Sequence, residues 1–222
     1  MSRCRTFGFV VILILLVNGT GWTAGAGEEA MTAGVDLGNF KPLRTIHVST
    51  IEELMGAVAD AQKGDLIEVA DGDYDNTKVI RIEKKGTAQA PIVLRAANRG
   101  KARILGSENF QLVNCAYVAI EGFAFFHKDI AMVCRVTGSH HCRFTRNHIR
   151  AQGMAARGQE QRRSNWVGIG GEMSHHNRID HNLFEEKNSH GVMIYTSGSS
   201  VGTGNMPTQY DRIDHNHFRN FY

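Results

Sequence analysis

The stretch NRIDHNLF, residues 177–184, returns almost unchanged as DRIDHNHF at residues 211–218. The same spacing of hydrophobic residues occurs twice earlier in the chain, in less similar form. Aligned in this way, the triplets are Ile120/Phe123/Phe125, Phe144/Asn147/Ile149, Ile179/Asn182/Phe184 and Ile213/Asn216/Phe218. Their middle members are 24, 35 and 34 residues apart. A period that lengthens in this way is typical of a parallel β-helix, an all-β solenoid whose later coils carry a loop of about ten extra residues.

The surrounding sequence has the composition expected of short strands and turns. Pieces rich in β-branched and aromatic residues, such as APIVLRA (90–96) and YVAIEGFAF (117–125), alternate with Gly, Asp and Asn, as in strands separated by turns. The extra residues are visible at 151–165 and 197–209, which are polar or glycine-rich. We predict that both segments leave the core as loops.

One amphipathic helix is predicted, within residues 49–65. The hydroxyl of Thr50 can accept a hydrogen bond from the amide of Glu53, whose side chain can reach back in a capping box. The residues that then fall on one helical face are Ile51, Leu54, Val58 and Ala61, and Gly64 ends the run. Because an open solenoid end exposes strand edges and apolar core, we expect this helix to cap the N-terminal end.

The first 26 residues have the pattern of a secretory signal peptide. Arg3 and Arg5 precede an apolar run at 7–17, and small residues follow at 24–26. The run is short for a helix that spans a bilayer, although an N-terminal membrane anchor is the alternative. We therefore expect a secreted or periplasmic protein with no stable membrane anchor after cleavage. Its expected parts are a signal peptide (1–26), an N-terminal extension (27–44) and a β-helix domain (45–222).

Charge and cysteine content exclude some classes of function. The formal charge of +3 falls to about +1 without Arg3 and Arg5, so the mature chain is not a polycation and no nucleic-acid partner is predicted. The remaining cysteines are Cys115, Cys134 and Cys142. Their odd number and the lack of a CxxC or zinc-type spacing indicate core residues rather than a disulfide framework or a metal site.

The repeated asparagines have an architectural explanation. Asn147, Asn182 and Asn216 fall at the same point of successive coils, where the chain turns from one sheet to the next. Asn tolerates the left-handed backbone conformation of such turns, and stacked amides can hydrogen-bond along the solenoid. We therefore expect a structural asparagine ladder, the alternative being a ligand site.

The histidines suggest a metal cluster only when their positions in the coils are ignored. The histidines concerned are His140, His141, His175, His176, His181, His215 and His217. Adjacent residues of a strand point to opposite faces, so a His-His pair should not converge on one ion. No metal site is predicted, and structural or solvated histidines are expected.

Asp180 and Asp214 occupy equivalent positions in successive coils. Two carboxylates would then lie about 5 Å apart, a separation used by retaining glycosidases. The competing interpretation is an outward ladder of carboxylates paired with Arg178 and Arg212. Repetition of both carboxylates with the coil favours the ladder.

These segments together resemble polysaccharide lyase family six, the group of alginate lyases and chondroitinase B. The resemblance is carried by VSTIEELMGAVADAQKGDLIEVADGDY (48–74), GTAQAPIVLRAANRGKARILGS (86–107) and above all the doubled Ile-Asp-His-Asn phrase, with FEEK (184–187) after its first copy. It covers roughly residues 45–222. It implies a right-handed parallel β-helix and β-elimination on uronic-acid polysaccharides. In that reaction calcium neutralises the uronate carboxylate, a lysine removes the C5 proton and an arginine assists the leaving oxygen.

The resemblance also implies where the catalytic residues of the family lie. Its calcium ligands and its Lys/Arg pair are expected on coils after the second Ile-Asp-His-Asn phrase, in segments like Glu-Ile-Ile-x-x-Lys-Ser and Arg-His-Gly. Neither segment occurs before Tyr222. We therefore assign no catalytic residue, and expect calcium in the full-length family site but not on this chain. The chain is expected to be the N-terminal portion of a lyase, truncated within the solenoid.

Residues that could contact sugar lie in and beside the predicted loops. They are Arg162, Arg163, Trp166, Lys187, His190 and Tyr195. Cationic side chains can pair with uronate carboxylates, and aromatic faces suit pyranose rings. An ordinary polar loop and a core tryptophan are the alternative.

Three functions remain open on the sequence. The leading one is a secreted lyase acting on an anionic polysaccharide, alginate first and chondroitin or dermatan sulfate second. The alternative is a non-catalytic polysaccharide-binding β-helix. The third is a hydrolase that uses Asp180 and Asp214.

Overall fold

The computed structural model describes residues 33–106, 110–127, 132–151, 165–187, 191–197 and 208–220. Within these ranges the strands form three parallel sheets around a common core. Each strand inside a sheet pairs with the equivalent strand of the coil before it and of the coil after it, and the first and last strands of a sheet have one such partner. This is the predicted parallel β-helix.

The three sheets are numbered in the order in which one coil visits them. The first sheet contains β1 (Arg44–Val48), β2 (Asp65–Val69), β5 (Ile92–Ala96), β8 (Val118–Glu121), β11 (Arg143–Thr145), β14 (Arg178–Asp180) and β17 (Arg212–Asp214). The second contains β3 (Gly72–Asn76), β6 (Ala102–Gly106), β9 (Ala124–His127), β12 (His148–Ala151), β15 (Leu183–Glu185) and β18 (His217–Arg219). The third contains β4 (Ile80–Ile82), β7 (Phe110–Val113), β10 (Cys134–Thr137), β13 (Val167–Gly170) and β16 (Ile194–Thr196).

The aligned triplets of the sequence are stacked core positions, so the predicted register is confirmed. The first-sheet stack is Ile120, Phe144, Ile179 and Ile213, and the second-sheet stack is Phe125, Ile149, Phe184 and Phe218. All but the last member of each stack are buried, and each such side chain stabilises the fold by about 1.5–3 kcal/mol. Ile213 and Phe218 are 45% and 44% exposed.

Helix α1 (Ile51–Asp60) closes the N-terminal end of the solenoid, as expected. Its buried side chains Leu54, Ala57 and Val58 pack toward strands β1 to β4. The Thr50 hydroxyl accepts a hydrogen bond from the Glu53 amide at 3.1 Å. The second bond of the capping box differs from the expected one. The Glu53 carboxylate accepts a hydrogen bond from the Ser49 amide at 2.7 Å, whereas a capping box uses the amide of the N-cap residue Thr50. No helix among the described residues has the length and apolarity needed to cross a bilayer.

A segment before β1, residues 33–43 (the N-terminal strap), lies over the outer face of the first sheet. Val35 packs there on the outward side chains Leu66, Val93 and Ala119. Strands that are buried on both faces read as continuous apolar runs, which explains sequences such as DLIEV and IVLRA. The strap therefore gives the solenoid a second, smaller core outside the first.

Two contacts anchor the far end of the N-terminal strap. The Gly34 amide donates to the His176 carbonyl at 2.8 Å, and the Arg143 Nη1 donates to the Val35 carbonyl at 2.9 Å. Gly34 has a φ of +81°, and a Cβ there would lie 2.8 Å from the Cβ of Arg178. Only glycine fits this position without displacing a neighbour.

The cysteines are core residues, as predicted. Cys115, Cys134 and Cys142 are buried and not disulfide-bonded. Burial raises the pKa of each of these thiols, which keeps them protonated and unreactive.

Candidate functional site

Stacked asparagines build the corner between the first and second sheets. The Asn182 Oδ1 accepts from the Asn147 amide at 2.9 Å, and the Asn216 Oδ1 accepts from the Asn182 amide at 3.1 Å. Each side-chain NH2 also donates to a strand carbonyl, as from Asn182 to Phe144 at 3.0 Å. These bonds run from coil to coil inside the corner, so the amides hold the turn in shape.

The left-handed residue of each turn is not the asparagine, in contrast to our expectation. The residue before each asparagine has the left-handed conformation: Arg146, His181 and His215 have φ of 55°, 55° and 53°. The asparagine can then turn its amide inward, and the preceding side chain projects from the corner. His181 and His215 are therefore surface residues at equivalent positions of successive coils.

A ladder of ion pairs covers the outer face of the first sheet beside this corner. Arg143 donates to both carboxylate oxygens of Asp180 at 2.8 and 2.6 Å, and Arg178 donates to both oxygens of Asp214 at 2.9 and 2.7 Å. Burial alone would raise the pKa of both carboxyl groups, but the guanidinium and imidazole hydrogen bonds outweigh it and lower both pKa values. Both carboxylates are thus ionised at neutral pH.

This charge state argues against a hydrolase built on Asp180 and Asp214. A retaining pair needs one carboxyl that is protonated before the reaction, which requires a raised pKa. Both groups are held in the opposite state, each by a two-point contact with arginine. The ladder interpretation fits these contacts.

We call the surface formed by Arg99, His181, His215, His217 and Arg219 the basic corner. These side chains line a shallow pocket of about 310 Å³ together with Asn182 and Leu183. The rings of His181 and His215 stack with centroids 4.9 Å apart. Each Nδ1 lies 2.6 Å from the carboxylate of the preceding aspartate, which fixes the ring and leaves Nε2 as the nitrogen that can meet a ligand.

The guanidinium groups of the basic corner keep positive charge at the surface. Arg99 donates to the carbonyls of Arg146 and His181 at 3.2 and 3.5 Å, which leaves its charge uncompensated by those contacts. Arg219 donates to Glu185 at 2.6 Å and is half exposed. Carboxylate or sulfate oxygens could therefore accept hydrogen bonds from the guanidinium groups here, and from the imidazoles in their protonated form.

The structure places the sequence-predicted sugar contacts elsewhere, near the junction of the second and third sheets. Trp166 is 2% exposed and stacks on Phe184 with centroids 6.4 Å apart. The Trp166 ring is part of the hydrophobic core, which corrects the prediction that it contacts a pyranose. The Lys187 Nζ lies 5.5 Å from the Trp166 ring centre, and burial lowers the pKa of Lys187.

Tyr195 lies on the neighbouring coil. It is half-buried in β16 opposite Gly168, where a Cβ would come within 2.3 Å of the tyrosine ring. The structure thus brings Trp166 and Lys187 together and holds Tyr195 against the backbone. Arg162, Arg163 and His190 lie outside the described residues, and their sugar contacts stay predictions.

Sequence reasoning missed Arg99 and Arg219, and it interpreted His181, His215 and His217 only as structural or solvated histidines. The register pairs Leu183 with His217 and Glu185 with Arg219, which the repeat spacing could have indicated. Arg99 belongs to a turn between β5 and β6 and reaches across several coils, so no local pattern marks it.

The His-His pairs depart from the expected geometry. His141 and His176 have φ of 54° and 53°, because each pair lies at the corner between the third and first sheets rather than within a strand. The alternation of a strand does not apply there. The Nδ1 atoms lie 3.0 Å apart in His140–His141 and 2.8 Å apart in His175–His176.

The described residues do not fit a calcium site. Calcium requires six to eight oxygen ligands, mainly from carboxylates. The carboxylates of Asp180, Asp214 and Glu185 are already engaged by arginine and histidine. Among the described ranges, no group of three or more His, Cys, Asp or Glu could hold a metal ion.

Comparison with known proteins gives one family and a consistent set of solved structures. The family model for chondroitinase B matches residues 48–221. The structure resembles the family six alginate lyase AlyGC with a TM-score of 0.60 and 22% identity, over 80% of this chain and 26% of AlyGC. No curated protein matches the sequence.

Two further lyases show the same fold. A mannuronic acid specific family 6 lyase from human gut microbiota has a TM-score of 0.57 and 23% identity, over 81% of this chain and 45% of that one. A family six lyase from Pseudopedobacter saltans has a TM-score of 0.55 and 19% identity, over 78% of this chain and 46% of that one. The matched region thus spans between about a quarter and a half of these three lyases.

Proposed function

The chain belongs to the chondroitinase B family, polysaccharide lyase family six, and from this we propose that it forms part of an exported lyase that cleaves uronic-acid polysaccharides by β-elimination. The observation that carries the proposal is the family match over residues 48–221. Alginate is the first proposed substrate and chondroitin or dermatan sulfate the second. Solved lyases of the same fold are described as alginate lyases and as mannuronic acid specific.

We propose that the described coils contribute binding of the anionic polymer at the basic corner. Coils repeat about every 4.8 Å along the solenoid, and His181 and His215 repeat with them. A linear uronan carries one carboxylate on each uronate unit, so the imidazoles in their protonated form would offer a repeating row of donors to a repeating row of acceptors. Arg99 and Arg219 add guanidinium donors to the lining of the same pocket.

No catalytic step is derived from the described residues. They offer no ligand set that fits calcium, so any calcium site of the family type would lie outside them. We also propose that the protein is exported through a signal peptide at residues 1–26. This agrees with the proposed substrates, because large polysaccharides lie outside the cell.

A non-catalytic polysaccharide-binding β-helix is the second candidate function. It is favoured by the same basic corner, because that surface can hold carboxylates without any chemistry. The two candidates share a ligand and differ in whether the glycosidic bond is cleaved.

The test combines retention with turnover on the same polymers. Purified, monodisperse chain is applied to alginate and dermatan sulfate columns at low and high salt, and product is followed by the absorbance of unsaturated uronate. We expect retention at low salt that weakens with salt. An unsaturated product identifies the lyase, and retention without product shows that these residues bind the polymer without cleaving it.

A matched pair of variants tests the surface. Arg219→Gln removes a half-exposed guanidinium of the basic corner, which pairs with Glu185. Arg103→Gln removes a guanidinium of similar exposure on β6, which pairs with Asp73 of β3. We expect weaker retention for Arg219→Gln alone. Equal retention of both variants, or no retention of the unaltered chain, would overturn the assignment of this surface.

A further inference from the structure

Four imidazoles form a cluster at the corner between the third and first sheets, away from the basic corner. We call His140, His141, His175 and His176 the imidazole cluster. Rings of successive coils stack with centroids 4.9 Å apart and 4° and 3° between their planes. Within each coil the two Nδ1 atoms face each other at 3.0 and 2.8 Å. The cluster therefore contains two side-by-side pairs of ring nitrogens.

The protonation state of the four rings decides whether the cluster can bind a metal ion. A neutral imidazole keeps a lone pair on one ring nitrogen, and this is the form that binds a metal ion. Tyr117 and Tyr210 stack on the two ends of the His141–His176 column at 4.6 and 5.0 Å, which holds these rings in place.

We propose that the imidazole cluster binds one divalent transition-metal ion of the copper(II) or nickel(II) type through the two Nδ1 atoms of one coil. This site is independent of the proposed polysaccharide chemistry. It is also distinct from a calcium site, since calcium takes oxygen ligands.

The spacing of the nitrogens selects the type of ion. With metal–nitrogen bonds of about 2.0–2.1 Å, nitrogens 2.8–3.0 Å apart subtend an angle of about 85–95° at the ion. This is the angle between neighbouring ligands of a tetragonal ion, whereas a tetrahedral ion needs nitrogens about 3.3 Å apart. Nitrogen ligands in a tetragonal arrangement are typical of copper(II) and nickel(II).

Binding requires a change of tautomer and additional ligands. In each pair one ring donates its Nδ1 hydrogen to the Nδ1 of the other ring. For both Nδ1 lone pairs to bind the ion, the donor ring must move this hydrogen to its Nε2. No proton leaves the pair in this step. Because no third His, Cys, Asp or Glu among the described residues completes a site, water would fill the remaining positions.

Only one ion is expected for each chain. The two pairs lie one above the other with ring centroids 4.9 Å apart, and two doubly charged ions at that separation would repel each other strongly. Occupation of either pair therefore disfavours occupation of the second.

The experiment is a calorimetric titration of the full chain with copper(II), nickel(II) and calcium at pH 7.5, with electron paramagnetic resonance of the copper complex. The test variant is the double change His141→Asn and His176→Asn, which breaks both pairs while retaining a residue that tolerates positive φ. The control is His181→Asn with His215→Asn. These residues have the same φ and the same 4.9 Å stacking, but their Nδ1 atoms face aspartates and cannot form the chelate.

We expect one copper(II) per unaltered chain and per control chain, with coupling to two imidazole nitrogens, and at least tenfold weaker binding to the test variant. Absence of copper binding by the unaltered chain, or equal affinity in all three proteins, would overturn the proposal. Circular dichroism checks the fold. If the test variant does not fold, His140→Gln with His175→Gln breaks the same two pairs from positions outside the left-handed region.

Discussion

Replacement of Asn182 by alanine should destabilise the solenoid through the loss of hydrogen bonds inside the corner. The side chain makes four hydrogen bonds within the corner. Its Oδ1 accepts from the backbone N–H and from the Nδ2 of Asn147, and its Nδ2 donates to the Phe144 carbonyl and to the Asn216 Oδ1. Asn182 itself is 1% exposed, so water does not replace these partners in the folded state.

The magnitude follows from the groups that lose their partner. Asn147 Nδ2 retains the Ile120 carbonyl and Asn216 Oδ1 retains the Asn182 amide, whereas the Asn147 N–H and the Phe144 carbonyl lose the bonds described above. A buried polar group without a partner costs about 1–3 kcal/mol. Allowing for some relaxation, we expect Asn182→Ala to lower the free energy of unfolding by about 2–4 kcal/mol.

Urea unfolding followed by far-ultraviolet circular dichroism measures this loss. With a slope of about 2 kcal/mol per molar urea, the midpoint should fall by about 1–2 M. The control is Asn98→Ala, because Asn98 is exposed and bonds to the exposed Asp71; its effect should stay within about 0.5 kcal/mol. An unchanged midpoint for Asn182→Ala, together with lost retention on alginate, would refute the structural role of this amide.

Three further predictions concern the strap, the ion-pair ladder and the imidazoles. Gly34→Ala should cost about 1–3 kcal/mol, because the residue has positive φ and its Cβ would meet Arg178. Faster cleavage by trypsin after Arg44 would report a loosened strap, and unchanged cleavage would contradict this. Asp180→Asn should cost about 3–5 kcal/mol, because it leaves the buried Arg143 guanidinium without a compensating charge. The urea midpoint measures this loss, with Asp73→Asn as the control variant in an exposed ion pair, and equal midpoints of the two variants would contradict the prediction. The folded chain resists protonation of His141 down to a pKa of about 4, whereas the unfolded chain takes up this proton near pH 6.5. Stability should therefore fall by about 1–2 kcal/mol, after discounting for partial exposure, as pH drops from 6.5 to 4, and His141→Asn should reduce this dependence; an identical pH profile of the two proteins would argue against it.

The sequence contained enough information to predict the coils and their register. The hydrophobic triplets around Asn147, Asn182 and Asn216 recur because each coil must place the same side chains in the same core. The helix at 51–60 could be located for the same reason, since its cap and its apolar face are local patterns.

Other features depended on contacts that local patterns do not record. The left-handed position lies one residue before each asparagine, and a one-residue difference decides whether His181 faces solvent. The same uncertainty about turns hid the convergence of His175 and His176. The N-terminal strap was missed because its partners Leu66, Val93 and Ala119 lie on coils far along the chain.

The N-terminal strap has a consequence for the order in which the molecule can form. Its anchors are the carbonyl of His176 and the guanidinium of Arg143, which are synthesised long after Gly34. The residues made first among those described must therefore wait until most of the solenoid exists before they can dock. Long-range contacts of this kind are slow to form because the intervening chain must be ordered first. Until then, Leu66, Val93 and Ala119 face water on the outside of the growing coils. The strap thus acts as a late closure, and a nascent chain interrupted before His176 would lack the anchor that completes it.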